Sequence, residues 1–170
     1  MAKEKTNPNP GSNGKDTVSQ EVTYPQYTLK KALEVPRVIW EKNAGNPFTL
    51  LDIAGFIQSE RGKPYSPTTT SYRCLIRSSQ RYGLTDGTWQ NDVGKVKISL
   101  TKLGKSIVAP TTSDDSNQSM RTALQRPPIF DKFLKELDGR IIPPEHVCIN
   151  TLIDKFKLSK EDATECYNVL

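Results

Sequence analysis

The sequence predicts a mainly α-helical protein with a small β-hairpin, arranged as a winged helix-turn-helix domain over residues 25–110 and a short C-terminal helical segment over residues 120–170. Three observations carry that expectation. Apolar residues recur at helical spacing in three successive stretches ahead of Gly83, two short alternating runs joined by turn residues follow, and three more short amphipathic stretches close the chain.

Residues 1–24 are rich in Asn, Pro, Gly, Ser and Lys and show no apolar period. Such a stretch buries too little surface to offset the entropy of ordering it, so a disordered tail is expected. Over residues 27–43, Leu29, Ala32, Leu33, Pro36, Ile39, Trp40 and Asn43 fall on one side of a helix, with Lys30, Lys31, Glu34, Arg37 and Glu41 opposite. Pro36 lacks an N–H, so it either kinks this helix or divides it into a lead-in and a main part. Gly45, Asn46 and Pro47 stop it. Thr49 then serves as an N-cap, with Asp52 in the first turn, for a second helix built on Leu50, Leu51, Ile53, Ala54, Phe56 and Ile57.

After a turn through Arg61, Gly62, Lys63 and Pro64, Ser66 is expected to cap a third helix, with Pro67 in its first turn and Gly83 closing it. Thr68, Tyr72, Leu75, Ile76 and Ser79 project to one side of that helix and Ser66, Thr70, Arg73, Arg77 and Arg81 to the other. Arginines three and four residues apart only repel one another in water, so an anionic partner accounts for the row; the plain alternative is a solvated face.

Residues 84–90 and 95–100 read as two strands joined across residues 91–94, where Asp92 and Gly94 supply turn chemistry. Val96, Ile98 and Leu100 alternate with Lys95, Lys97 and Ser99, giving the second strand one apolar and one basic face. Thr101 caps a short helical segment stopped by Pro110, and residues 111–119 are expected as a polar linker. In the C-terminal segment, helical spacing links Ile129, Phe130, Phe133, Leu134 and Leu137, then Val147, Ile149, Leu152, Ile153 and Phe156. A last run through Ala163, Cys166, Tyr167 and Leu170 is capped by Ser159 with Asp162. None of these helices is long enough to stand alone in water, so they pack on each other, on the winged domain or on a partner chain. The sequence stops at Leu170 without a C-cap or polar tail, and a longer native chain is expected.

The run YGLTDG…ISLTKLGKSIVAP resembles the strand, wing and following segment of prokaryotic winged-helix proteins. Together with ALEVPRVIWEKNAGNPFTLLDIA it resembles an uncharacterised prokaryotic family that pairs a winged-helix domain with a C-terminal helical segment, over residues 25–170. The resemblance implies the fold and brings no assigned activity or ligand residues.

Charge points to the same place as the arginine row. The chain carries a formal +5, but residues 25–110 are net +7, residues 1–24 net zero and residues 111–170 net −2. An acidic partner on the middle segment, most often nucleic acid, fits that asymmetry. Much other chemistry lacks its parts. His146 is the one histidine and sits at a helix start, where it is expected on the surface; a lone histidine excludes multi-histidine metal sites and weakens any nucleophile–histidine scheme, since Ser or Cys would need that one residue as base. Cys74, Cys148 and Cys166 are odd in number, widely spaced and set in apolar helical patterns, so buried thiols are expected rather than disulfides or a zinc site. No phosphate loop, nucleophile elbow or zincin motif is present, and of the acids and lysine that could suggest a nuclease site, Asp52, Glu60 and Lys63, the last two flank a Gly-Pro turn instead of alternating on a strand. Trp40 is assigned to the core, while Trp89 is open to packing or to stacking on a base.

The expectation is therefore a non-enzymatic protein that binds double-stranded DNA, such as a transcriptional regulator, with no cofactor or metal. Thr70, Arg73, Arg77 and Arg81 would face the major groove, Ser66 and Thr68 would meet phosphate at the helix start, and Lys95 and Lys97 would contact backbone or minor groove from the wing. The alternative is a protein-interaction or dimerisation module of a larger regulatory or defence protein. A homodimer through the C-terminal helices and a cytoplasmic location, without membrane contact, complete the expectation: no apolar run approaches 18 residues and residues 1–16 lack a signal-peptide core.

Overall fold

Hydroxyl side chains fix where most of the helices begin. In the computed structural model, which describes residues 24–59, 61–89, 92–137 and 141–170, an N-cap Thr or Ser accepts a hydrogen bond from the backbone N–H two or three positions inside each of six helices. Thr28 caps α1 (Leu29–Ala32), Thr49 caps α3 (Leu50–Phe56) and Thr69 caps α4 (Thr70–Arg81). Thr101 caps α5 (Lys102–Val108), Thr112 caps α6 (Ser113–Gln125) and Ser159 caps α9 (Lys160–Val169). Each such bond satisfies an N–H that the helix itself leaves orphaned.

Proline explains the division of the first expected helix. The chain breaks at Leu33 into α1 and α2 (Glu34–Asn43), which places Pro36 in the first turn of α2, where a missing N–H costs little. Ala44 and Gly45, both at positive φ, then turn the chain out. Pro128 opens α7 (Pro128–Leu137) in the same way, and α8 (Glu145–Phe156) starts after Pro144.

The result is mainly helical with a small three-stranded antiparallel sheet of order β1-β3-β2. β3 (Lys97–Leu100) pairs on one edge with β2 (Thr85–Asp86), Thr85 opposite Leu100, and on the other with β1 (Phe48–Thr49), Phe48 opposite Ile98. The hairpin is shorter than expected and β1 was not expected at all. The alternation on the second strand holds: Val96 and Ile98 are buried, Lys95 and Lys97 exposed.

Two further expectations change. The third helix begins at Thr70 and not after Ser66: Thr69 N–H donates to the Ser66 carbonyl (3.1 Å) and Thr69 caps, so Ser66 to Thr68 form the turn leading in. Most of the linker expected at residues 111–119 is helical, because Thr112 caps and Asp114 and Asp115 complement the N-terminal end of α6. The tail expected at residues 1–24 lies outside the described residues apart from Tyr24, which is buried.

One apolar cluster lies along α4 and a second begins at the turn that closes it. One joins Val35 and Ile39 of α2 and Leu50 and Ile53 of α3 to Tyr72, Leu75 and Ile76 of α4 and Ile98 of β3. The other joins Ala32, Leu33, Tyr82, Leu84 and Ile107 to the C-terminal helices through Ala123, Phe130, Phe133, Leu152 and Cys166. The C-terminal helices thus pack on the preceding elements within one apolar cluster. Burial, reinforced by Asp162, pushes the Cys166 thiol up to about 12, and Cys148 is buried as well, while Cys74 is half-buried. His146 is exposed, as expected, and Trp40 is half-buried with Lys105 over its ring at 5.7 Å. Among the described residues no helix is long and apolar enough to cross a membrane, and no group of three or more His, Cys, Asp or Glu is placed to hold a metal ion.

Gly104 in α5 is required by close approach: a Cβ there would lie 2.0 Å from the Leu84 carbonyl oxygen. Gly55 in α3 is the opposite case, with nothing within 4 Å of a Cβ. The same substitution should therefore have opposite signs in urea denaturation: Gly104→Ala loses about 1–3 kcal/mol by overpacking, and Gly55→Ala gains about 0.5–1 kcal/mol from helix propensity.

Candidate nucleic-acid interface

Helix α4 owes its position to its inner face. Tyr72, Leu75, Ile76, Ser78 and Ser79 are buried, and Tyr72 donates its hydroxyl to the Leu50 carbonyl at 2.7 Å. Burial holds the Tyr72 hydroxyl far above the ordinary phenol range, so it stays a donor. The helix closes in a Schellman motif. Leu84 N–H reaches the Ser79 carbonyl (3.0 Å), Gly83 N–H reaches that of Gln80 (2.8 Å), and Gly83 takes φ +70°.

The arginine row expected on the outer face is sorted by the structure into three environments. Arg77 is exposed and has no ion-pair partner among the described residues. Arg73, one turn earlier, is half-buried against Trp89: its guanidinium carbon lies 5.1 Å from the centre of the Trp89 ring, and Trp89 meets Tyr72 edge-to-face at 6.0 Å. Its Nε is buried without a hydrogen-bond acceptor. Arg81 departs from expectation. Its Nη1 donates to the Tyr24 carbonyl, 57 positions back in sequence, so the side chain serves the fold and not the open face. The Tyr24 ring is fixed at its far end by Asp162 and Glu165 of α9 (both 3.4 Å).

The hairpin is tied to the same helix. Gln80 donates through Nε2 to the Gly87 carbonyl at 2.7 Å, so the stretch from Gly87 to Trp89 runs along α4. Lys97 is exposed on β3. Lys95 is exposed too, but its ammonium pairs with Asp92 at 3.0 Å in a solvated contact that adds little stability. At the other end of α4, Ser66, Thr68 and Thr70 are all exposed, with the Ser66 and Thr68 hydroxyl oxygens 3.3 Å apart.

The structure thus puts Arg73, Arg77 and Trp89 together and removes Arg81 from the set. Arg61, which sequence reasoning left in a turn, lines a depression of about 430 Å³ with Ser66, Thr69 and Ser71. The signal for it was its place in a Gly-Pro turn directly before a hydroxyl-rich helix start. Glu60, part of the nuclease reading, lies outside the described residues. Comparison with protein families, with curated proteins and with solved structures gives no match.

The sorting of the arginines is measurable without any ligand. Arg81→Ala should cost about 1–3 kcal/mol of stability, because the buried Tyr24 carbonyl loses a charged donor. Arg77→Ala should change stability by less than about 0.5 kcal/mol. Equal losses in urea titrations of the two variants would contradict the assignment.

Proposed function

We propose that this protein is a non-enzymatic DNA-binding protein of the winged helix-turn-helix type, acting as a transcriptional regulator, with α4 as the helix that enters the major groove and the hairpin after it as the wing. The observation that carries the reading is the outer face of α4. Arg77 stands there exposed and, among the described residues, unpaired, one turn from Arg73 and beside a wing that presents Lys97, in the segment that holds the chain's excess positive charge. Arginine matches guanine O6 and N7 in the major groove, and lysine on the wing adds phosphate contacts that carry no sequence information. Ser66, Thr68 and Thr70 lie where the N-terminal end of α4 favours an anion such as phosphate. The order of elements, three helical units and then a hairpin, and the resemblance noted in the sequence favour the same reading.

Duplex binding should weaken steeply with salt, at roughly 0.9 units of log affinity per log salt for each neutralised phosphate. The pair Arg77→Ala, Lys97→Ala should flatten that slope by about two and leave urea stability nearly unchanged. A slope equal to that of the native protein would remove this face from the interface.

The alternative, a protein-interaction or dimerisation module, draws on exposed apolar side chains. Leu51 and Phe56 are each 51% exposed on α3, and Ile141 is 93% and Ile142 73% exposed ahead of α8. Clustered apolar exposure marks protein contacts. If the C-terminal corner pairs two copies, Ile141→Asp with Ile142→Asp should turn a dimer into a monomer by light scattering; an unchanged mass would end that reading.

A further inference from the structure

We infer that Trp89 is a positioning residue that makes Arg73 the base-reading side chain of α4, presenting its two terminal nitrogens end-on to a guanine while Arg77 and Lys97 hold phosphate. This rests on the DNA-binding reading above and deepens it: the partner becomes a duplex with a required G·C pair at one position.

The argument starts from what a guanidinium can offer. Its five N–H groups form a planar fork that grips guanine O6 and N7 either side-on, through Nε and one terminal nitrogen, or end-on, through the two terminal nitrogens. In Arg73 the first mode is closed, because Nε is buried. The terminal nitrogens have no hydrogen-bond partner among the described residues and are not among the buried unsatisfied atoms, so they reach solvent. The indole of Trp89 covers the guanidinium at 5.1 Å, a cation–π contact that narrows an otherwise mobile side chain to one direction. Trp89 is itself held. Tyr72 packs against it edge-to-face, Tyr72 is anchored on the Leu50 carbonyl, and the wing backbone just before it accepts from Gln80. The half-buried ring therefore meets Tyr72 and Arg73 together, which makes it a support for an arginine. Arg77, exposed and without such a support, keeps its rotamer freedom and suits a phosphate contact, which tolerates imprecise geometry. A pre-set donor pair loses less freedom on binding and gives more discrimination than a mobile one.

The test uses the full chain. A preferred duplex is first selected from a randomised pool with the native protein. Dissociation constants are then measured for that duplex and its single base-pair changes with the native protein and with Trp89→Ala, Trp89→Phe, Arg73→Ala and Arg77→Ala, and salt slopes are recorded in parallel. Trp89→Ala should keep the native salt slope, since no cation is lost, but should reduce preference for G·C at one position by about tenfold or more. Arg73→Ala should lose preference at that same position. Trp89→Phe, which keeps an aromatic face, should retain most of it, and Arg77→Ala should weaken all duplexes alike with a slope smaller by about one. Undiminished discrimination in Trp89→Ala, a loss at a position different from that of Arg73→Ala, or a Trp89→Phe protein no better than Trp89→Ala would overturn the proposal while leaving DNA binding intact. Failure of the native protein to bind any duplex in a salt-dependent way would overturn both readings at once.

Discussion

Two backbone N–H groups, those of Gln26 and Tyr27, both point at one buried hydroxyl, Ser78 Oγ, at 3.0 and 3.2 Å. The rest of the architecture depends on that meeting. It brings the segment entering α1 onto the inner face of α4, where Ser79 also binds Thr85 at the start of β2 (3.0 Å) and Tyr82 donates to the Tyr27 carbonyl. A polar seam of this kind is stable only when every member finds a partner, because an unpaired buried polar group costs more than a paired one returns. Around the seam lie the two apolar clusters, with Tyr72, Leu75 and Ile76 facing one and Tyr82 and Leu84 facing the other. Helix α4 faces the first, and the Tyr82–Leu84 turn that closes it faces the second.

A helix clamped so firmly on its inner side has only its outer side left for a partner. The residues left there are not equivalent. Arg81 has been drawn back into the fold, Arg73 is braced by an aromatic ring, and Arg77 is open to solvent. The three share one charge and one helical face in the sequence, yet differ in how much motion each would give up on meeting a ligand. Neighbours from distant parts of the chain, Tyr24 and Trp89, create that difference.

Where local chemistry decides, the sequence was legible. Thr49, Thr101 and Ser159 are the caps the sequence implied, and most of the apolar positions, Val96 and Ile98 among them, are buried as their spacing implied, whereas Leu51 and Phe56 of α3 and Val147 of α8, expected on the apolar sides, are exposed. Where several local solutions compete, it misled. The run from Ser66 to Ser71 offers hydroxyls at five positions, and Ser66 followed by Pro67 fits a helix start as well as Thr69 does; the turn closed by Thr69 onto the Ser66 carbonyl decides the matter. Helix α6 was missed because its first half carries almost no apolar residues, and only Ala123 is fully buried, so periodicity had little to register. The strand β1 and the inward turn of Arg81 rest on contacts with Ile98 and Tyr24, about 50 or more positions away, which no window along the chain contains. The candidate site was half legible: residue types and spacing marked the helix, but which arginine is braced and which is spent on the fold required tertiary structure.

The middle position of β3 has a mechanical consequence. Because it is bonded to β1 on one edge and to β2 on the other, the second strand of the hairpin is stitched directly to Thr49, the residue that caps α3. A displacement of β3 would therefore be passed to the start of α3 and, through β2 and the Gln80–Gly87 bond, to α4 as well.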